Sequence, residues 1–194
     1  MSEVFAHDGN CIFEGLWTSI TAAKGFDSTL LSIPNDATHW VRYTTGATAA
    51  LSVGETLTGG TSSKTCVLVA QAVEVGTAGS SDTGIIFVKS PSGAFQAETL
   101  TGGTSTGTVV IAQDLIGLNK VHQHPKAVLL AAEVASLNTT VSGTIPTTTA
   151  GTNHGITMDA GQTRVIRGIQ NIRNFKCINA IASSGAKLKY ELYY

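Results

Sequence analysis

Charge is what this sequence has least of. Charged residues make up 13% of its 194 residues, about half the usual share of a soluble domain. The formal net charge is only −1. A chain so close to neutrality has no electrostatic footprint with which to capture nucleic acid as a whole. The low charge is not a mark of disorder, because hydrophobic residues reach 42% and recur along the whole chain. It is the surface expected of a β-rich protein whose faces meet neighbours. No stretch approaches the roughly 20 apolar residues that a membrane-spanning helix needs. The opening residues, MSEVFAHDGN, have neither the basic nor the apolar region of a secretory signal. The expectation is therefore synthesis and assembly in a cytoplasm without Sec-type export. Cysteine is scarce as well: Cys11, Cys66 and Cys177 are odd in number, far apart and without a CxxC pair. That spacing predicts reduced, buried thiols and excludes a disulfide framework or a cysteine-based zinc site.

What the chain does have is glycine, threonine and a duplication. The octet ETLTGGTS occupies 55–62 and recurs at 98–105, and the likeness runs on, ETLTGGTSSKTCVLVAQ against ETLTGGTSTGTVVIAQD. Two copies are too few for a propeller or solenoid, and neither 1–45 nor 120–194 contains a third. Each copy reads as a short strand, a Gly-Gly turn and a longer apolar strand. Gly59-Gly60 and Gly102-Gly103 are expected to supply the positive φ of a two-residue hairpin turn, with Thr58, Thr61, Thr101 and Thr104 as β-branched flanks. Between the copies IIFVK (85–89) is a further strand bounded by turn sequences. The fold class is all-β. Residues 46–114 form a small barrel or sandwich on the duplicated hairpins, and the N- and C-terminal segments, 1–45 and 115–194, form a β-sandwich-like part.

In those flanking segments CIFEGLWTSI (11–20) and HWVRYTTG (39–46) read as strands. KAVLLAAEVASLN (126–138) fits a helix opened by Pro125 or a buried strand, with its all-β surroundings favouring the strand. Residues 139–155, rich in Thr, Gly and Pro, read as an extended arm with little power to form a core. Farther on, Ile166, Ile169, Ile172, Phe175, Ile178 and Ile181 recur every third position, a spacing that fits neither strand nor helix. Two strands broken near Gly168–Asn174 account for it, with Phe175, Cys177 and Ile181 on one side of the second. Leu188, Tyr190, Leu192 and Tyr194 alternate with Lys187, Lys189, Glu191 and Tyr193, predicting a half-buried terminal strand.

No catalytic constellation emerges. GGTSSKT (59–65) imitates a P-loop, but Ser63 stands where the glycine before the lysine belongs. A strand sequence follows it rather than a helix, and the second copy has no lysine. His122 and His124 could chelate a metal from one side of a strand, yet no carboxylate or cysteine lies nearby. His154 and Asp159 have no nucleophile motif beside them. Glu55 and Glu98 occupy equivalent places in two hairpins and are expected to sit apart, not across a glycosidase cleft. Trp17 and Trp40 read as core residues, with interface anchoring as the competing reading; HWVRY, the one candidate for a carbohydrate pocket, also reads as core. Neither enzyme chemistry nor a metal or other cofactor is expected.

The distribution of the basic residues says more. Arg164, Arg167, Arg173, Lys176, Lys187 and Lys189 are half of the twelve Lys and Arg residues, and no acid falls between the first and the last. They are candidate contacts to an acidic protein surface; a solvated strand face is the alternative.

VGETLTGGTSSKTCVLVA and FQAETLTGGTSTGTVVIA resemble a β-hairpin module found in structural proteins of tailed bacteriophages. The ending AGQTRVIRGIQNIRNFKCINAIASSGAKLKYELYY is similar to the C-terminal β-segments of small phage virion proteins. The resemblance covers about half the chain. It implies a non-enzymatic virion component, above all a capsid decoration (cement) protein on the surface of the head. Such a protein would form a homo-oligomer, with a trimer favoured, and bridge copies of the major capsid protein without contacting nucleic acid or membrane. A tail, baseplate or fibre component with a receptor- or glycan-binding surface is the second expectation.

Overall fold

The computed structural model describes residues 12–18, 20, 22–118, 124–148, 155–181 and 185–194. Among them the strands are β1 (Ile12–Trp17), β2 (His39–Ala47), β3 (Thr56–Gly59), β4 (Thr65–Thr77), β5 (Ser80–Lys89), β6 (Glu98–Gly102) and β7 (Thr108–Ile111). There follow β8 (Ile116–Gly117), β9 (Ala127–Val134), β10 (Leu137–Thr140), β11 (Ile156–Met158), β12 (Thr163–Arg167), the short helix α1 (Ile169–Asn174), β13 (Lys176–Asn179) and β14 (Lys187–Tyr193). The protein is all-β, as its sequence predicts. It divides into two compact units: Asp27–Leu118, and Met1–Phe26 together with Asn119–Tyr194. The strand over HWVRYTTG thus belongs to the unit of the duplicated hairpins and not to the N-terminal segment.

The Asp27–Leu118 unit is one antiparallel sheet in the order β5-β4-β3-β6-β7-β2-β8, and a further pairing of β5 with β2 closes it on itself. Closure leaves a small barrel of six strands with β8 attached beside β2, which removes the exposed edges an open sheet would carry. The alternation of β2, β3, β4 and β6 then has a plain meaning, since side chains of one parity fill the interior. Val41, Tyr43, Leu57, Cys66, Leu68, Ile86, Val88, Phe95, Leu100, Val109 and Ile111 form that core, each at most 5% exposed. Trp40, on the opposite parity of β2, is half-buried.

The other unit has two sheets, β1-β14-β9-β12 and β11-β10-β13. The terminal strand is as predicted: Leu188, Tyr190, Leu192 and Tyr194 are all buried. β14 lies between β1 and β9, with Trp17 opposite Leu188 and Tyr190 opposite Leu130. Large aromatics join the sheets. Trp17 lies 5.3 Å from Tyr190 and 6.4 Å, stacked, from Phe175, and Phe26 fills the angle at 5.0 Å from Trp17 and 5.8 Å from Phe175. Such pairs contribute about 0.5–1.5 kcal/mol each beyond their buried area. Trp17 is therefore a core residue.

The segment 126–138 is strand, as its surroundings favour, in two pieces, β9 and β10, separated at 135–136. Two other expectations change. The arm at 139–155 is not free of the core in its described part: Thr139 and Thr140 belong to β10 and Pro146 is buried. Asn138 Nδ2 donates to the Thr147 carbonyl at 2.8 Å, tying the segment back to its own sheet. The three-residue period at 166–181 does mark two strands, but their break is α1, entered through Gly168 at φ 83°. Ile166 faces inward from β12, Ile172 from the helix, and Phe175 and Cys177 lead into β13. β13 stops at Asn179, so Ile181 is 71% exposed and not part of that inward row.

The row ends instead on Asn179, which is 2% exposed and whose Nδ2 and Oδ1 find no hydrogen-bond partner. An unsatisfied buried amide costs about 1–3 kcal/mol. Asn179→Leu, which keeps the branching of the side chain and removes both unpaired groups, is therefore expected to raise the melting temperature, and an unchanged or lowered value would refute the assignment. Because the barrel closes on its own strands, residues 27–118 expressed alone are expected to unfold in one cooperative transition, followed by circular dichroism. A featureless melt would show that closure does not suffice.

Candidate functional site

The duplicated octets meet. β3 and β6 pair antiparallel with Thr58 opposite Thr101, Leu57 opposite Gly102 and Gly59 opposite Leu100, so the two copies are related by a local two-fold. Gly60 N–H donates to the Thr99 carbonyl and Gly103 N–H to the Thr56 carbonyl, both at 2.9 Å. The turns are wider than a two-residue hairpin. Gly59 N–H reaches the Lys64 carbonyl and Gly102 N–H the Gly107 carbonyl, each at 2.8 Å. The left-handed residues are Ser63 (φ 56°) and Thr106 (φ 58°), whereas none of the four octet glycines has a positive φ. The sequence reading of the Gly-Gly pairs as positive-φ turn residues is thus corrected.

The octet glutamates explain the glycines. Glu98 Oε2 accepts the N–H groups of Thr61 (2.8 Å) and Ser62 (2.9 Å), in the turn of the other copy. Glu55 Oε2 accepts those of Thr104 (3.0 Å) and Ser105 (2.9 Å), while its Oε1 accepts Ser105 Oγ (2.8 Å) and Ser52 N–H (2.6 Å). Each carboxylate lies against a turn glycine: a Cβ on Gly59 would stand 2.6 Å from Glu98 Oε2, and one on Gly102 2.6 Å from Glu55 Oε2. Glycine is required here for space. The two acids are equivalent and sit apart, one at each end of the β3–β6 pair, and each is the cap of the other's hairpin. Both are 6% exposed. Burial pushes their carboxyls up, but the turn donors outweigh it and hold both below the ordinary value of 4.5.

A second polar cluster lies within the barrel. Asp82, fully buried, accepts Tyr43 Oη at 2.5 Å, Gln71 Nε2 at 3.1 Å and Gly79 N–H at 2.9 Å. Gln71 Nε2 also donates to Tyr43 Oη at 2.8 Å. Burial first, and then the hydrogen bond to Asp82, raise the Tyr43 hydroxyl far above the usual phenol range. Arg42 and Glu74 form an ion pair. Asp82 thus accepts three hydrogen bonds from within the fold, and Glu74 is held by Arg42. Burial pushes the thiols of Cys66 and Cys177 up to about 12, the latter against the opposing pull of Lys24 and Lys176. Both are free, buried thiols, as expected. Cys11, His122 and His154 lie outside the described residues. Among the described residues no group of three or more His, Cys, Asp or Glu could hold a metal ion, and no helix is long and apolar enough to cross a membrane.

The six basic residues do not form one patch. Arg164 lies on the inner parity of β12 with buried Ile166, and its Nη1 donates to buried Thr139 Oγ1 at 2.8 Å, joining the two sheets. Arg167 is exposed on the opposite parity with Thr163 and Val165. Lys187 and Lys189 share the outer parity of β14, Arg173 is exposed on α1, and Lys176 begins β13. The outer face of β1-β14-β9-β12 mixes Lys189, Glu191, Glu14 and Arg167 with exposed Leu16 and Val165 and half-buried Leu129 and Ala131. Composition concealed these acids, because Glu14 and Glu191 lie outside the acid-free span and return to it only through strand pairing. No family model, curated protein or solved structure matches this chain.

Stability that comes from carboxyls held below 4.5 is complete above that pH and is lost as pH falls through their folded values. Glu55→Gln or Glu98→Gln is expected to lower stability at neutral pH by about 1–2 kcal/mol and to flatten the acid limb of a melting-temperature profile. An acid limb as steep as the wild type's in both variants would refute the role of these carboxylates.

Proposed function

We propose that this chain is a non-enzymatic structural protein of a tailed-phage virion, a capsid decoration protein that binds the major capsid protein and stabilises the head. The observation that carries the reading is the fate of the octet. The segment that resembles the phage hairpin module forms the central strand pair of a barrel, and its acids are consumed in holding turns. The same commitment of polar groups recurs at Asp82 and Arg164, each bonded within the fold. Low charge and two tightly built β-units suit a part that assembles inside a cell and then endures outside it. The mechanism is mass action: a protein that binds the mature lattice and not its precursors shifts the equilibrium toward that lattice. A homo-oligomer, with a trimer favoured, would place several copies of the same face on neighbouring capsid subunits.

The test is deletion from the virus. Particles lacking the chain are expected to release their genome at a lower temperature than complete ones, and image reconstruction of complete particles is expected to place its density on the head. Unchanged heat resistance, or density confined to the tail tip, would sink the reading.

A further inference from the structure

The duplicated hairpins also have an outward side. On it Thr65 stands opposite Thr58, Thr58 opposite Thr101 and Thr101 opposite Thr108, so a straight row of four threonines crosses four strands. On one side of the row Val67 pairs with Thr56, and on the other Val110 pairs with Thr99. The two-fold between the octets exchanges Thr65 with Thr108, Thr58 with Thr101, Thr56 with Thr99 and Val67 with Val110. Thr56, Thr58, Thr99, Thr101 and Val110 are exposed and the other three half-buried. None of the eight carries a charge.

The two copies differ inside and agree outside. Of the strand residues that fill the barrel, Leu57 matches Leu100, but Cys66 stands against Val109 and Leu68 against Ile111. All four outward pairs are identical. A merely solvated face would show the reverse, because substitutions cost least there. Strand propensity would be met as well by isoleucine or by an exchange of Thr and Val, so it does not hold four pairs alike. Contact from outside does.

The second glycine of each octet adds relief to this face. Gly60 and Gly103 keep the outward parity of β3 and β6, beside Thr99 and Thr56, to whose carbonyls their N–H groups donate. Both are exposed and neither has a positive φ. A Cβ on either would meet a single atom, that same carbonyl oxygen, at 3.3 Å. Each threonine therefore stands next to a hollow. In a second copy laid face to face, turned about an axis along the strands or across them, Thr56 and Thr99 come over the Gly60 and Gly103 hollows of the first. A partner without this two-fold would meet two identical halves in different ways, whereas the same face on another copy meets both alike and brings no charge against charge.

We propose that this face is a contact between two copies of the chain, packed sheet on sheet and centred on Thr58 and Thr101. By strand spacing and rise it covers roughly 400 Å² per copy, about half of what each partner gives to a standard interface. The contact is therefore weak singly and gains strength by repetition within an assembly. It needs no capsid and does not rest on the virion reading. Joining copies in pairs, it is separate from any contact that builds a trimer.

Sedimentation equilibrium of the full chain up to about 1 mM, where even a millimolar contact is half formed, is expected to show a dimer. Thr58→Lys combined with Thr101→Lys places four like charges in the middle row of that dimer and is expected to weaken it roughly tenfold or more. Thr58→Glu combined with Thr101→Glu is expected to do the same. An equal mixture of the two variants is expected to pair again, since opposite charges then face each other, and this recovery separates a lost contact from a damaged fold. A wild type that stays a monomer, a dimer of unchanged strength in the lysine variant, or a mixture that does not pair would each overturn the inference.

Discussion

The barrel depends on an exchange of carboxylates. A hairpin turn leaves backbone N–H groups aimed at its own concave side, and water or a side chain must satisfy them. Here Glu98 satisfies the first turn and Glu55 the second, across the β3–β6 pair that joins the two copies. Neither hairpin is complete without the other. The arrangement fixes the register of β3 on β6, because a slip of one residue would carry both acids to the wrong face and away from the amides they serve. With that central pair set, β4 and β7 follow from their own turns, and β5 and β2 close the ring.

The octet's conservation between copies in this one chain is then intelligible residue by residue. Glutamate supplies the cap, leucine at the third position (Leu57, Leu100) fills the barrel interior, and threonine flanks the strand pair. The first glycine leaves room for the incoming carboxylate, and the last two residues present the amides that it accepts. Lys64 has no part in this, which is why its counterpart is missing from the second copy without consequence for the turn.

The sequence made the class of fold legible, because period-two alternation is strong in β2, β4 and β14 and punctuated by turn residues. It also showed where the second strand pair of the C-terminal region breaks. It did not show the purpose of Gly59 and Gly102. A glycine in a turn has two explanations, backbone conformation and lack of bulk, and only the partner that approaches it decides between them. Nor did it show that Arg164 and Arg167, three residues apart, fall on opposite faces of one strand with different employment. Charge spacing is read along the chain, whereas a face is assembled from four strands whose order the chain does not state. Glu14 and Glu191 lie at opposite ends of the sequence and directly opposite each other in the sheet.

That last pairing also sets the order in which the molecule can be finished. β1 lies near the start of the chain and its partner β14 ends one residue before the last. On a ribosome, β1 must remain without its partner until β14 has emerged. The barrel, by contrast, has all its strands once residue 118 has emerged, well before β9, β12 and β14 exist. Its early folding would also shorten the effective loop that the β1–β14 pairing has to close, since a compact body replaces a long flexible excursion. A nascent chain of this protein would then pass through a stage with one unit completed and the other still open, Trp17 and Phe26 waiting for Phe175 and Tyr190.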